Sequence, residues 1–464
     1  MFSAPLTRRD VLRSTSCGFG MMALAGLLGQ SARAAAADSD NPLSPKQPHF
    51  APRAKRVIFM FMQGGPSHVD TFDYKPALET DDGKSPSAGA KGRGNRKLMK
   101  SPWKFSPRGE SGLPISELLP HTAKHADNLC ILNSMHTDLP NHPQAAVQLH
   151  TGSFQFVRPS MGAWILYGLG TENQELPGFL TINPITRVGG AVNFGSSFLP
   201  APFQGTRIGG EGQKLANASL SNLSSGGQSR EQQRKQIDLL QTINRDRLAK
   251  DKVNSELEGI IESYELAFRM QSAVPKLMDI ADESPSTLDA YGIGNGPTDN
   301  FGRQCLLARR FAEAGVRFIE LGHGGWDQHN QLRNKLTQNC MAIDQPIAAL
   351  LNDLKLRGML DETLVVWGGE FGRTPHAQNE DGRDHNNGGY SMWMAGGGVK
   401  GGLRYGSTDE HGIKAAEKPM HVHDLHATIL HLLGLDHTRL TYRYSGRDFR
   451  LTDVHGNVAT EILA

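Results

Sequence analysis

Short apolar runs that alternate with helical segments are the dominant pattern of this chain. The runs have the length of buried strands and lie at 57–62, 129–132, 179–182, 316–321, 364–367 and 390–395. Helical signals lie between them or after them, at 143–150, 303–314, 343–357 and 426–433. This alternation predicts an α/β fold of three layers, in which a largely parallel central sheet carries helices on both faces.

Residues 230–283 have a different pattern. They are rich in charged residues, contain Gly259 as their single glycine, and repeat apolar residues near helical spacing. This predicts a pair of long helices that form an insertion or a cap on the main domain. The domain itself is expected over residues 55–464, after a linker at 35–54 that is rich in Ala, Pro, Asp and Ser.

The N-terminus resembles an export signal. Arg8 and Arg9 form a twin arginine, an apolar stretch covers 18–28, and Ala32-Arg33-Ala34 has the form of a cleavage site. We therefore predict a twin-arginine signal peptide over residues 1–34 and a periplasmic or extracellular protein. The alternative is an amphipathic N-terminal helix of the mature fold. The apolar stretch is shorter than the roughly 20 residues that span a bilayer, so no stable membrane span is expected in the mature chain.

The charge balance of the mature chain argues against a nucleic-acid partner. The full chain has 49 basic and 47 acidic residues, and residues 1–34 hold four Arg and one Asp. Removal of the signal leaves 45 basic and 46 acidic residues, so no basic footprint for nucleic acid remains. No oligomeric state is indicated.

Four glycine-rich segments between or after the predicted strands carry the candidate chemistry. Ligands of such sheets bind at the carboxyl ends of the strands, and these segments would deliver their polar side chains there. Histidine with carboxylate suits a divalent ion such as zinc, manganese, iron, magnesium or calcium. The alternative is that these residues occupy turns and helix caps. The candidate metal ligands are His68, Asp70, Asp327, His329, Glu370, Asp384 and His385.

Two further residues are candidates for catalysis. His142 precedes a helix start, where it would act as a nucleophile, a general acid, a metal ligand or a neighbour of the helix cap. Arg373 would hold a tetrahedral oxyanion through its planar guanidinium, or would pair internally with Glu370. His421 and His423 are expected mainly at a helix start capped by Asp424, with a metal ligand as the alternative.

These motifs resemble the exported bacterial family known as domain of unknown function 1501, which is itself similar to the sulfatase and alkaline-phosphatase superfamily. The matching stretches are 63–76, 141–152, 158–162, 324–329, 368–375 and 382–385. The resemblance implies an alkaline-phosphatase-like fold and a metal-dependent hydrolase of phosphate or sulfate esters, with a small-molecule or glycan ester as substrate. The alternative is a non-catalytic protein that binds an oxyanion or a glycan on the same fold.

The resemblance also implies roles for individual residues. Asp327 and His329 resemble the paired ligands of one metal, His385 resembles the late His that completes that site, and Glu370 falls where the superfamily has a strand-end Asp-His pair. The first strand ends in Gln63-Gly64 instead of Asp. The nucleophile position holds His142 instead of Ser, Thr or Cys, so a metal-activated water or a phosphohistidine-like intermediate would replace the usual nucleophile.

Overall fold

The computed structural model describes residues 41–85, 96–217, 229–251 and 255–464. The predicted signal peptide at 1–34 lies outside the described residues, as do residues 35–40 of the predicted linker. The described part of that linker, residues 41–54, has no helix or strand but packs along the domain. Leu43 is 1% exposed, and the backbone of Ala54 donates to the carbonyl of Leu432. An apolar side chain and backbone hydrogen bonds therefore hold residues 41–54 of the predicted linker against the domain.

The helices and strands of the described residues are numbered in chain order. The α-helices are α1 His68–Thr71, α2 Pro76–Thr80, α3 His142–Thr151, α4 Met161–Leu169, α5 Arg230–Asp251, α6 Ser255–Met278, α7 Pro285–Ala290, α8 Asp299–Glu313, α9 Leu332–Leu356 and α10 Val422–Leu432. The strands are β1 Arg56–Met62, β2 Phe105–Arg108, β3 Leu113–Ser116, β4 Leu129–His136, β5 Phe179–Ile182, β6 Thr206–Ile208, β7 Phe318–His323, β8 Thr363–Gly368, β9 Gly372–Gln378, β10 Gly382–Asn386, β11 Tyr390–Ala395, β12 Leu403–Tyr405, β13 Ser407–Thr408, β14 Ala415–Glu417, β15 Met420–His421, β16 Tyr442–Tyr444 and β17 Arg447–Phe449. Short 3₁₀ helices cover Thr122–Asn128, Gly190–Phe194, Ala201–Phe203, Leu215–Asn217, Leu360–Glu362 and Thr460–Ile462.

Nine strands form the central sheet, in the order β12-β4-β11-β8-β1-β7-β5-β6 with β15 beside β4. β1 lies between β7 and β8 and is parallel to both, and β5 is parallel to β7 and β6. β11 is antiparallel to both β4 and β8. The predicted α/β fold with a largely parallel sheet is therefore confirmed, and one antiparallel strand interrupts it.

Helices cover both faces of the sheet. On one face, Gly162 of α4 lies against the ring of Phe179, and His150 of α3 lies 3.4 Å from the carboxylate of Glu320. On the other face, Phe301 of α8 packs edge-on against His323, which points opposite to Glu320 because strand side chains alternate. The sheet is therefore the middle layer of three, and each strand of the parallel core is buried on both sides.

The segment between β6 and α7 contains the two long helices α5 and α6. Among the described residues, no helix combines the length and the apolar character that crossing a membrane requires. The site described below lies at the ends of β1, β7 and β8.

Candidate metal centre

Three imidazoles meet one carboxylate at the carboxyl edge of the parallel strands. Oδ1 of Asp327 lies 3.1 Å from Nε2 of His142, 2.8 Å from Nε2 of His329 and 3.2 Å from Nε2 of His385. The Nε2 atoms of His329 and His385 are 2.9 Å apart. The four side chains are between 12% and 40% exposed, so they line a site that is open to solvent.

Different elements bring these residues together. His142 is the first residue of α3, and Asp327 and His329 lie in the loop after β7. His385 lies on β10, which pairs with β9 in an antiparallel hairpin after β8. This convergence follows from the parallel sheet, because the loops after β7 and β8 leave at the same edge.

Each imidazole is anchored through its other nitrogen. Nδ1 of His142 lies 2.6 Å from Oε1 of Glu370, and Nδ1 of His385 lies 2.7 Å from the carbonyl oxygen of Pro140. Nδ1 of His329 lies 2.5 Å from the amide oxygen of Gln378. All three partners are acceptors, so each Nδ1 carries the proton and donates it. Each Nε2 is left with a lone pair directed towards the carboxylate of Asp327.

This donor set fits a divalent cation. Three lone pairs around an anionic oxygen repel one another unless a proton or a metal ion lies between them. Nε2 of His142 is buried and has no hydrogen-bond partner of acceptable geometry among the described residues. Ligands at about 2.0–2.1 Å from a tetrahedral ion are separated by roughly 3.3 Å, close to the separations found here. Two overlapping sets have the spacing of metal ligands: His142 with Asp327 and His385, and His329 with Asp384 and His385.

The pKa values of His142 and Asp327 are both shifted by their neighbours in the site. Burial lowers the pKa of His142, but the neighbouring carboxylates of Asp327 and Glu370 outweigh it and raise that pKa to about 9. For Asp327, burial acts to raise the pKa, while His142, His385 and the charge of Arg373 hold it well below its ordinary value. In the metal-free state a proton on His142 therefore supplies the positive charge that the site requires.

Glu370 contacts Nδ1 of His142 and is not one of the four converging side chains. Its carboxylate is fully buried, accepts from the backbone N–H of Gly64 at 3.0 and 3.2 Å, and accepts from His142. Glu370 was predicted to be a direct metal ligand. Its carboxylate instead orients the imidazole of His142. Gly64 permits this contact, since a Cβ there would lie 2.4 Å from the backbone nitrogen of Asp327.

Arg373 is enclosed by its protein partners. The side chain is fully buried, and its guanidinium donates to the carbonyls of Gly65 and Arg383 at 3.0 and 3.2 Å and also to that of Gly64. It also donates to Oδ1 of Asp327 at 2.6 Å. The structure thus contradicts both sequence-based roles. The guanidinium has no open edge for an oxyanion, and its ion-pair partner is Asp327 instead of Glu370.

His68 and Asp70 lie apart from the four converging side chains. Nε2 of His68 lies 2.8 Å from the carbonyl oxygen of Gly412. Asp70 accepts two hydrogen bonds from Arg383, at 2.6 and 3.0 Å, and both side chains are fully buried. Their prediction as metal ligands is corrected on this ground: α1 turns both residues into the interior, where Asp70 neutralises a buried arginine.

Asp384 occupies the rim of the site. One carboxylate oxygen pairs with Arg96, and the other lies 3.9 Å from Nδ1 of His329. Asp384 belongs to the second of the two sets with the spacing of metal ligands, together with His329 and His385. Its carboxylate is therefore an additional acceptor next to the centre, while the shortest contacts belong to Asp327.

Three functional contacts were not predicted from the sequence. Gln378 lies at the end of β9, Pro140 contributes only its carbonyl, and Phe371 packs its ring against His142 and His385 at centroid distances of 4.6 and 4.8 Å. A carbonyl acceptor leaves no signature in the residue type. The one available signal was the position of Phe371, directly after the strand-end Glu370.

The second histidine cluster is a helix start. His421 caps α10 in a reciprocal arrangement with Asp424, and Nε2 of His423 lies 2.8 Å from the carbonyl oxygen of Gly152. Neither histidine belongs to a metal-like set among the described residues. The capping interpretation of this segment matches the structure.

The comparisons with known proteins place the chain in a family. A family model described as protein of unknown function DUF1501 matches residues 54–463, so the chain belongs to that family, as its motifs predicted. No curated protein matches the chain.

Several solved structures show a low overall similarity to this chain. The PsFucS1 sulfatase from Pseudoalteromonas sp. is 14% identical, with a TM-score of 0.36 over 82% of this chain and 68% of that chain. The phosphonate monoester hydrolase SpPMH from Silicibacter pomeroyi is 10% identical, with a TM-score of 0.37 over 82% of this chain and 73% of that chain. A variant of TAB5 alkaline phosphatase is 11% identical, with a TM-score of 0.35 over 83% of this chain and 99% of that chain.

Proposed function

We propose that this member of the DUF1501 family binds one divalent metal ion through His142, Asp327, His329 and His385 and uses it to hydrolyse phosphate or sulfate esters. One observation carries the proposal: three imidazole Nε2 atoms face one carboxylate oxygen, and each ring is anchored at Nδ1 by an acceptor. Such anchoring fixes the tautomer and raises the basicity of a metal ligand. A turn or a helix cap requires no arrangement of this kind.

A bound divalent ion would supply two effects, polarisation of an ester oxyanion and a fall of the pKa of a water molecule to about 7. The side chains around it have separate tasks. Glu370 and Gln378 hold His142 and His329 in orientation, and Arg373 fixes Asp327. A rigid centre of this kind needs no reorganisation when charge develops on the substrate.

His142 acts in this proposal as a ligand. Both of its ring nitrogens face carboxylates, Nδ1 at 2.6 Å from Glu370 and Nε2 at 3.1 Å from Asp327. A nucleophile needs one nitrogen free to attack, and a general acid needs one free to reach the leaving group. The attacking group is therefore a water molecule, and the phosphohistidine-like intermediate is set aside.

The substrate class follows from the charge of the centre. Three neutral imidazoles and one carboxylate leave a net positive charge on a bound divalent ion, which favours an anionic tetrahedral group. A small-molecule or glycan ester of phosphate or sulfate offers such a group.

The test compares turnover of a panel of aryl phosphates and aryl sulfates by the wild type, His329→Ala and His455→Ala. His455 is an exposed histidine outside the centre and serves as the matched control. We expect the wild type and the control to hydrolyse at least one ester class, and His329→Ala to lose at least about 100-fold. Metal binding without turnover of any ester would favour the alternative, a binding protein for an oxyanion or a glycan.

We also propose that residues 1–34 direct export through the twin-arginine route. The support is the sequence alone, in which Arg8 and Arg9 precede an apolar stretch. Fractionation of cells that express the wild type or a double Arg→Lys variant of this pair tests it. We expect periplasmic or secreted protein for the wild type and retention in the cytoplasm for the variant.

A further inference from the structure

An exposed cluster of rings and guanidinium groups lies beyond the C-terminal end of α3, outside the metal centre. We call it the aromatic–arginine patch, and it consists of Phe156, Phe198, Tyr444, Phe449, Arg158 and Arg447. Phe156 and Arg158 lie in the loop after α3, and Phe198 lies in a second loop. Tyr444, Arg447 and Phe449 belong to the β16–β17 hairpin.

The rings of the patch are ordered against one another. Phe198 stacks on Tyr444 with a centroid distance of 5.0 Å and an interplanar angle of 16°. It also lies 5.1 Å from Phe449. The guanidinium of Arg158 lies 4.1 Å from the centroid of Phe449, and that of Arg447 lies 4.8 Å from the same centroid. These contacts pack the rings and the guanidinium groups against one another.

Two rings of this patch are far more exposed than the side chains of a hydrophobic core. Phe156 is 61% exposed and Tyr444 is 48% exposed, and Val157, which follows Phe156 in the chain, is 65% exposed. Large apolar side chains that are grouped on a surface usually mark a binding site, whereas isolated ones do not. The stacking therefore preorganises rings that remain accessible to a ligand.

The charge of the patch is positive. Its surroundings contain Arg158, Arg443, Arg447 and Arg450 against Asp448 and Asp453, which gives a net charge of +2. The mature chain as a whole is nearly neutral, so this is a local concentration of positive charge. Arg447 already pairs with Asp453 and Arg443 with Asp448, so an incoming carboxylate or sulfate would bind chiefly to Arg158. The guanidinium of Arg158 stacks on Phe449, which leaves its N–H edge directed sideways for two hydrogen bonds.

We propose that the aromatic–arginine patch binds an anionic polysaccharide, with sugar faces on the exposed rings and sulfate or carboxylate groups on the arginines. A repeating polymer suits the patch because several weak contacts along one chain reinforce each other. α3 has ten residues from His142 to Thr151 and is therefore about 15 Å long, which separates the patch from the metal centre. The proposal holds whether or not the metal centre hydrolyses esters.

The test measures binding of dextran sulfate, unsulfated dextran and phosphatidylglycerol vesicles to the mature protein by biolayer interferometry. The comparison includes Tyr444→Ala, Phe156→Ala, Arg158→Gln and the control Tyr264→Ala. Tyr264 is a tyrosine of similar exposure, 45%, on helix α6 and outside the patch. The protein is measured with and without EDTA so that a contribution of the metal centre is recognised, and thermal melts verify that each variant is folded.

We expect dextran sulfate to bind more tightly than dextran, independently of EDTA. Each of the three patch variants should weaken binding at least about fivefold, while Tyr264→Ala leaves it unchanged. Equal binding of dextran and dextran sulfate would overturn the role of charge. Binding that is insensitive to Tyr444→Ala and Phe156→Ala would show non-specific attraction of a polyanion, and binding to vesicles alone would identify a membrane surface; either result overturns the proposal.

Discussion

Replacement of Glu370 by glutamine isolates the contribution of one anchoring partner to metal binding. The carboxylate accepts from Nδ1 of His142 through Oε1 and from the N–H of Gly64 through both oxygens. In the glutamine variant, Oε1 still accepts from both groups. The amide nitrogen, however, takes the place of Oε2, 3.2 Å from the Gly64 nitrogen, so that two donors face each other. The negative charge behind His142 is lost as well.

The expected magnitude follows from the number of anchors affected. One of three imidazoles loses its charged partner, while the acceptors of His329 and His385 remain. Loss of such a partner typically weakens metal binding about 10–100-fold, or about 1.4–2.8 kcal/mol. Because the partner is a fully buried carboxylate, we expect about 30-fold, within that typical range.

The assay is competition for metal between metal-free protein and a chromogenic chelator, with circular dichroism to confirm the fold. Glu362→Gln is the matched control, because Glu362 is 44% exposed and pairs with Lys55 on the surface. Its metal affinity should equal that of the wild type. A folded Glu370→Gln protein that binds metal within threefold of the wild type would refute the reasoning.

The remaining predictions concern the interior around the site. Asp70→Asn should lower the free energy of unfolding by about 3–5 kcal/mol, since it leaves the buried Arg383 without its carboxylate, and should keep the metal content unchanged. Urea unfolding and elemental analysis test this prediction, and metal loss from a folded variant would contradict it. Burial lowers the pKa of His150, but the charge of Glu320 outweighs it and raises that pKa above its ordinary value. The pair therefore stabilises the fold fully below about pH 6.5 and loses its contribution as the pH rises through the raised pKa. Melting temperatures from pH 5 to 9 should fall more in the wild type than in Glu320→Gln, in which the raised pKa of His142 still contributes. Gly64→Ala should abolish metal binding, because its Cβ would lie 2.4 Å from the backbone nitrogen of Asp327 and its φ is +119°. The control Gly83→Ala, which has a φ of +75° and open space around the new Cβ, should lower the free energy of unfolding by about 1 kcal/mol and leave metal binding intact. Metal retained by a folded Gly64→Ala protein would count against the proposed site.

The fold was accessible from sequence because buried parallel strands are continuous apolar runs. β5 and β11 coincide with the predicted runs at 179–182 and 390–395. The errors lie where tertiary contacts override local pattern. β4 extends to His136 because β11 and β15 pair with its polar second half, and α9 begins at Leu332, well before the predicted start.

The candidate site was only partly predictable for a related reason. Asp327, His329 and His385 follow directly from their positions after strands of the sheet or in the adjoining hairpin. Asp70 has the same residue type and a similar position, and only its buried partner Arg383 shows that it serves another purpose. Which acceptor faces which nitrogen depends on distances that residue types do not encode.

The central claim is that His142, Asp327, His329 and His385 together hold one divalent ion, and elemental analysis tests it most directly. The wild type over residues 35–464 and its variants Asp327→Ala and Glu362→Gln would be loaded with excess metal, passed through gel filtration and analysed by mass spectrometry. We predict one equivalent of a divalent metal in the wild type and in Glu362→Gln, and none in Asp327→Ala. An absence of metal from the wild type, or the same metal content in folded Asp327→Ala, would contradict the account.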